Sequence, residues 1–239
     1  MDTSVRSIKK FARIGGVFYL MIIIAGIFGE LFVRGKMVVH DDPFATATNI
    51  MASPFLWRIG IAGDLLQHIF DLPVMLLFYV LLKPVNKNLA LLALLFTMVQ
   101  TAVLVATKLN LFTPLFLTEN SNYLKAFDSH QLQVLSYISI RADANGFGIG
   151  LLFFGFVLIT NGYLVRRSDY MPKLLGLLMQ IAGICYLVNS FALILDPRIA
   201  NRLFPFILFP AFITELSLCF WLIGKGVYSE EWESKVNPS

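Results

Sequence analysis

The chain has 239 residues, of which 57% are hydrophobic and only 14% are charged. A soluble domain carries about 25% charged residues, and one core of this size could not bury so much apolar surface. The net charge is +4 with the basic residues in short loops, which favours membrane topology over a nucleic-acid-binding surface. The composition therefore predicts a protein whose partner is the lipid bilayer.

Six apolar segments are long enough to cross a hydrocarbon core about 30 Å thick, which takes about 20 helical residues. They are approximately residues 11–33, 54–82, 88–108 or a little beyond, 145–165, 173–195 and 203–226. Ser53 and Pro54 suit the N-cap and the first helical position, so the start of the second segment is sharply marked. The sequence predicts an all-α polytopic fold, with a single six-helix transmembrane domain over 1–226 and a polar cytoplasmic tail over 227–239.

Two further segments are more polar than the spanning helices. Asp42 and Pro43 open a short helix over 44–51, which we expect at the membrane interface between helices 1 and 2. Residues 120–141, between helices 3 and 4, place most of their apolar side chains at three- and four-residue spacing. This amphipathic segment either lies on the membrane surface or extends helix 4 outward.

The lysines and arginines indicate the orientation. Eleven lie at the ends that include both termini, and eight lie at the opposite ends. Because the larger set sits in short loops and tails, the positive-inside rule places it in the cytoplasm. We therefore expect both termini on the cytoplasmic side of the cell inner (plasma) membrane.

Helix 2 carries ionisable residues along one face. At 100° per residue, Asp64, His68 and Asp71 fall within a narrow arc, and Pro73 frees a backbone carbonyl beside it. Ionisable groups inside spanning helices are costly and mark ion or substrate pathways. The stripe suits a proton relay, a cation site or part of a metal site, or it pairs with neighbouring helices.

Other helices supply polar partners at similar depths. Glu30 and Arg34 are spaced for a helical ion pair, which is either an interfacial salt bridge or part of a site. Lys108, at the predicted end of helix 3, is either a polar partner of the site or a side chain that extends to the interface. We predict a polar cavity that opens outward, lined by helices 1, 2, 3, 4 and 6. The candidate ligand-binding residues are Glu30, Arg58, Asp64, His68, Asp71, Gln100, Asn145 and Glu215.

Enzyme signatures are weak. The sequence has no HExxH or CxxC metal motif and no Gly-x-Ser-x-Gly nucleophile, and Cys185 and Cys219 lie in apolar segments. No catalytic residue, metal site or cofactor is assigned. Gly176 and Gly183 indicate close helix packing instead.

Several stretches of the chain combine glycine and polar residues in a pattern that resembles one protein family. They are Arg13-Ile-Gly-Gly, Ala25-Gly-Ile-Phe-Gly-Glu30, Ala45-Thr-Ala-Thr-Asn49, Arg58-Ile-Gly, Ala62-Gly-Asp64, Tyr79-Val-Leu-Leu-Lys-Pro, Gly146-Phe-Gly-Ile-Gly, Gly162-Tyr-Leu-Val and Pro172-Lys-Leu-Leu-Gly. In these positions, which cover about 12–195, the chain resembles the bacterial integral membrane proteins grouped as domain of unknown function 4386. The resemblance implies a bacterial membrane protein and no particular activity. Among the candidate residues it favours Glu30, Arg58 and Asp64 over His68.

Three functions fit these observations. The leading hypothesis is binding or movement of a small molecule or ion, in which Asp64, Asp71 and Glu215 supply charge or protons in one shared pocket. Glu30 and Arg58 would then form its outer gate, and Gln100 and Asn145 its hydrogen bonds. The alternatives are a membrane enzyme acting on a lipid-like substrate, with metal at Asp64 and His68, and a non-enzymatic partner or sensor subunit.

Overall fold

A computed structural model describes residues 5–119 and 121–236 of the chain. Within these ranges there is no strand, and six helices are long and apolar enough to cross a membrane. The spanning helices are Ser7–Met37, Pro54–Leu82, Lys87–Thr118, Ser129–Ser168, Lys173–Leu195 and Phe206–Gly224. The predicted all-α, multi-pass membrane fold is confirmed.

The helix boundaries that were predicted best are those marked by capping residues in the sequence. The second and fifth spanning helices, Pro54–Leu82 and Lys173–Leu195, have the predicted limits. The short helix between the first and second spanning helices is Pro43–Ala52, and the Asp42 carboxylate accepts a hydrogen bond from the Ala45 amide at 2.9 Å. An aspartate N-cap followed by proline satisfies the free amide groups of the first turn.

Two spanning helices change their hydrogen-bond register before they end. The first is α-helical over Val5–Ile27 and continues as a π-helix over Phe28–Arg34. The third is α-helical over Lys87–Thr107 and continues as a 3-10 helix over Lys108–Thr118. Both helices therefore extend beyond their predicted ends, and the irregular turns carry charged side chains.

The fourth spanning helix, Ser129–Ser168, is much longer than the predicted segment 145–165. Of the two alternatives for the amphipathic segment, its larger part extends helix 4. The smaller part is a 3-10 helix, Asn122–Ala126, and Asn120 lies outside the described residues.

The sixth spanning helix begins later than predicted. Residues Pro197–Leu203 form a separate short helix that Asp196 caps, and the α-helical part of the sixth span is Phe209–Gly224. In the polar tail, Ser229–Val236 is helical. The last three residues of that tail lie outside the described part of the chain.

The chain divides into two compact units. The larger unit comprises the described parts of Met1–Met21, Phe70–Thr101 and Gly148–Ser239. The smaller unit comprises the described parts of Ile22–Ile69 and Ala102–Phe147. Each unit has its own packing.

In the larger unit, glycines bring the fourth and fifth spanning helices into backbone contact. A Cβ atom at Gly176 would lie 2.6 Å from the Gly162 carbonyl oxygen, and one at Gly183 would lie 2.6 Å from that of Gly155. No side chain fits at these distances. The close packing predicted at Gly176 and Gly183 is confirmed.

Tyr170, in the loop between the fourth and fifth spanning helices, connects this loop to the end of the second spanning helix. Its side chain is fully buried, and its hydroxyl donates a hydrogen bond to the Leu81 carbonyl oxygen. Burial, and then the nearby Asp169 charge, raises the pKa of Tyr170 above its usual value. The neutral phenol is therefore the form that the fold stabilises.

We expect Tyr170→Phe to lower the free energy of unfolding by about 1–3 kcal/mol, because it leaves a buried carbonyl without its donor. Since folding raises the pKa of Tyr170, its contribution is complete below the unfolded tyrosine pKa of about 10 and is lost at higher pH. Thermal unfolding in detergent, measured from neutral to alkaline pH, should therefore converge for the two proteins at high pH. Tyr163→Phe, at an exposed tyrosine, is the control and should match the native protein throughout. A constant difference at all pH values would contradict this assignment.

The smaller unit is organised around Trp57. Its indole is 1% exposed, and Nε1 donates a hydrogen bond to the Leu111 carbonyl oxygen at 2.8 Å. Val33, Ile61 and Ile140 belong to the same buried cluster. Residues from the first four spanning helices therefore meet in this core. Charged residues of the same helices are direct sequence neighbours of several core residues.

Candidate functional site

The π-helix Phe28–Arg34 places two charged residues, Glu30 and Arg34, on the first spanning helix. Such helices are rare and occur often at functional sites. Gly29, in the same turn, is buried: a Cβ atom there would collide with an Asp64 carboxylate oxygen and lie 3.0 Å from Arg34 Nη2. Glycine thus allows the backbone to approach a charged pair closely.

Arg34 and Asp64 form a two-bond ion pair. Arg34 Nη1 donates to Asp64 Oδ2 at 2.6 Å and Nη2 donates to Oδ1 at 3.0 Å. The two side chains are 14% and 3% exposed. Arg34 Nε also donates to Glu30, whose side chain is 65% exposed, so Glu30 is the open end of this arrangement.

Lys108 connects Asp64 to a second carboxylate. Its Nζ lies 3.6 Å from Asp64 Oδ2 and 3.0 Å from Asp143 Oδ1. The Lys108 and Asp143 side chains are 5% and 6% exposed, and the Phe147 ring centroid is 6.0 Å from the ammonium nitrogen. The expectation that Lys108 extends to the interface is wrong, because the third helix continues past it to Thr118 and its charge has buried partners.

We call this chain of contacts the ion-pair network; its members are Glu30, Arg34, Asp64, Lys108 and Asp143. They come from the first four spanning helices. The three buried members and the partly buried Arg34 comprise two cations and two carboxylates, so their formal charges cancel. Burying charge in a low-dielectric region is tolerable only with such pairing, and an unbalanced change at one member leaves another unpaired.

The network includes only two of the predicted site residues, Glu30 and Asp64. The sequence predicts Arg34 as a helical partner of Glu30 but does not predict its bond to Asp64. Lys108 and Asp143 are not among the predicted ligand-binding residues. The useful signal was charge balance: a carboxylate deep in a spanning helix requires a cation from another helix.

Three other predicted site residues belong to the smaller unit. His68 is buried, at 4% exposure, whereas Arg58 and Asn145 are exposed. Their predicted roles, Arg58 in the gate, Asn145 as a hydrogen-bonding group and His68 as a ligand-binding residue, stay predictions.

The remaining predicted residues belong to the larger unit. Glu215 accepts a hydrogen bond from the Tyr186 hydroxyl at 2.6 Å. Asp71 lies 3.5 Å from the Thr101 hydroxyl, and the buried Oε1 of Gln100 has no hydrogen-bond partner among the described residues. A pocket shared by Asp64, Asp71 and Glu215 stays a prediction, because Asp64 belongs to the other unit.

No metal centre is present in the described parts of the chain. No group of three or more His, Cys, Asp or Glu side chains there is arranged to hold a metal ion. One cavity of the smaller unit, of about 210 Å³, has an almost entirely apolar lining that includes Phe116, Leu124 and Leu132. None of the predicted site residues lines it.

The glycine and polar positions of the first two spanning helices, including Gly29 and Asp64, also carry the family resemblance. The family model described as Domain of unknown function (DUF4386) matches residues 14–226. The chain belongs to the DUF4386 family. The match contains the whole network and extends through the sixth spanning helix.

One relative of this DUF4386 protein comes from Archaeoglobus fulgidus. It is described as an uncharacterized protein and is 30% identical over 167 residues, which cover 70% of this chain and 83% of the relative. No solved structure matches the chain. Neither description states an activity.

Proposed function

We propose that this DUF4386 protein binds or moves a small molecule or ion at its ion-pair network. The observation that carries the proposal is the position of Lys108, whose ammonium group lies between Asp64 and Asp143 inside membrane-spanning helices. Apolar side chains of similar volume would hold the helices together at equal or lower cost than buried ion pairs. Charges retained inside spanning helices generally serve ion or substrate pathways.

The network provides a way to couple its two ends. Asp64 accepts hydrogen bonds from Arg34 and also lies near Lys108, whereas Asp143 has Lys108 as its cation. A ligand or proton that neutralises one carboxylate changes the pairing of Lys108 with the other. Binding near Arg34 is thereby transmitted to Asp143 without a large movement.

The proposal includes a location in the cell inner membrane with both termini cytoplasmic. The excess of lysine and arginine in the terminal segments and in the loops on the same side supports this orientation. In that orientation the network lies toward the outside, where a ligand from the surroundings reaches it.

Asp64→Asn is the principal test. Asparagine keeps the shape of the side chain but removes the charge that balances Arg34 and Lys108. In proteoliposomes with imposed gradients of protons, sodium, potassium, chloride or acetate, we expect the native protein to dissipate at least one of them. The variant should be at least about tenfold slower, since tenfold corresponds to one charge-assisted contact.

Asp196→Asn is the matched control, because it neutralises a carboxylate that pairs with Arg198 outside the network. The control should behave as the native protein does. Binding is measured in parallel as a shift of the thermal unfolding temperature by the same ions, and Asp64→Glu replaces Asp64→Asn if the latter does not fold. Equal rates and equal shifts for native and Asp64-substituted protein would rule the proposal out, as would a native protein that neither moves nor binds any probe.

A further inference from the structure

Glu30 differs from every other member of the network in its exposure. Its side chain is 65% exposed, whereas those of the four other members are between 3% and 14% exposed. The formal charges of the other four members already cancel, so Glu30 adds a further negative charge to the network. Releasing Glu30 from Arg34 therefore costs less than releasing either buried carboxylate, since exposed ion pairs are weak and buried ones are not.

Arg34 also has N–H donors that its bond to Glu30 does not use. Asp64 takes two parallel bonds from Nη1 and Nη2, but Glu30 takes a single bond from Nε. A guanidinium group has five N–H donors, and carboxylate and phosphate groups usually accept two of them side by side. The Nε edge of Arg34 can therefore hold an oxyanion with more bonds than Glu30 makes.

We propose that Glu30 is a displaceable anion and that the ligand of the network is a small oxyanion with one negative charge, which replaces Glu30 on Arg34. The inference rests on the proposed function, because it names the ligand class of the same site. Exchange of one monoanion for another leaves the charge around Arg34 unchanged. A cationic ligand would instead have to take a buried carboxylate away from Arg34 or Lys108.

The oxyanion has two possible sources with the same chemistry. It is either a carboxylate or phosphate dissolved in water, or the phosphate of an anionic lipid headgroup. Both would bind the Nε edge through two oxygens. The experiment therefore includes one arm for each source.

Trp57 provides a local reporter, because it lies in the buried cluster that contains Val33, the residue before Arg34. The chain has three tryptophans, so Trp221→Phe and Trp232→Phe leave Trp57 as the only one. In this background, Trp57 fluorescence and the thermal unfolding temperature are followed during titration with acetate or inorganic phosphate at constant ionic strength. The second arm uses nanodiscs with increasing phosphatidylglycerol in phosphatidylcholine.

Glu30→Gln should tighten binding of the oxyanion by about two- to fivefold, the range expected when an exposed helical ion pair stops competing. Arg34→Lys should abolish the saturable response, since an ammonium group cannot offer two parallel N–H donors. Asp196→Asn, the control, should change neither. A residue with only a structural role would not tighten binding when it is neutralised.

The outcomes separate the sources and the two proposals. A response to acetate or phosphate in detergent identifies a dissolved anion, and a response only to phosphatidylglycerol identifies a headgroup. Unchanged or weaker oxyanion binding in Glu30→Gln overturns the inference. If Asp64-dependent movement of protons or metal cations persists in that case, the proposed function stands without it; if no probe binds or moves, both fail.

Discussion

Lys108→Met is expected to lower the free energy of unfolding by about 3–5 kcal/mol, because it removes one member of a buried pair and leaves a charge uncompensated. Methionine has a similar length and no charge, so packing changes little. Asp143 loses its 3.0 Å partner, and Asp64 keeps its bonds to Arg34. Reversible unfolding in mixed SDS and non-ionic detergent micelles measures the change.

The double variant Lys108→Met/Asp143→Asn tests whether charge balance is the cause. Both charges of the pair are then absent, and we expect most of the lost stability to return, since neutral replacements of buried ion pairs are often well tolerated. Lys173→Met removes an exposed lysine that lies 3.6 Å from Asp169 and should have no measurable effect. A double variant no more stable than Lys108→Met would show that packing, rather than charge, explains the loss.

The same double variant separates stability from function. A protein that folds as well as the native one but no longer binds or moves an ion would show that the pair is retained for its activity. Full binding and transport by the double variant would restrict the site to Glu30, Arg34 and Asp64. The outcome therefore decides how far the functional site extends along the network.

The presence of the spanning helices was predictable, because their length and hydropathy are strong signals. Hydropathy did not locate the start of the fourth spanning helix. Its first turns are polar, so an apolar window begins only near residue 145. A local signal was nevertheless present. The Asp128 carboxylate accepts a hydrogen bond from the Gln131 amide at 2.8 Å, and the Gln131 side chain accepts one from the Asp128 amide at 3.0 Å. This reciprocal cap marks a helix start directly before Ser129.

The network was only half predictable for a different reason. Asp64 and Glu30 attract attention individually, because each is a costly charge in an apolar helix. Their partners depend on helix rotation and relative depth, which hydropathy does not encode. Lys108 was misplaced because the third helix was expected to end there, whereas its 3-10 continuation keeps Lys108 within the span. The π-helix at Glu30 likewise depends on a hydrogen-bond register that no residue pattern specifies.

Gly183→Leu is expected to lower the free energy of unfolding by about 3 kcal/mol or more, at the upper end of overpacking effects. A Cβ atom at Gly183 meets the Gly155 carbonyl oxygen at 2.6 Å and Ile159 Cγ1 at 2.8 Å. Because the first of these is a backbone atom, no rotamer change relieves the clash, and the fourth and fifth spanning helices must move apart. Unfolding in mixed micelles again provides the measurement.

The smaller substitution Gly183→Ala allows a matched comparison within spanning helices. Alanine at Gly183 meets the same carbonyl oxygen, whereas a Cβ atom at Gly224 meets nothing within 4 Å. Since alanine favours helix over glycine by up to about 1 kcal/mol, Gly224→Ala should be neutral or stabilising and Gly183→Ala destabilising. Equal effects of the two alanines would mean that the helices separate at little cost. The glycine contacts would then be incidental to the larger unit, and its stability would have to come from the apolar side chains around them.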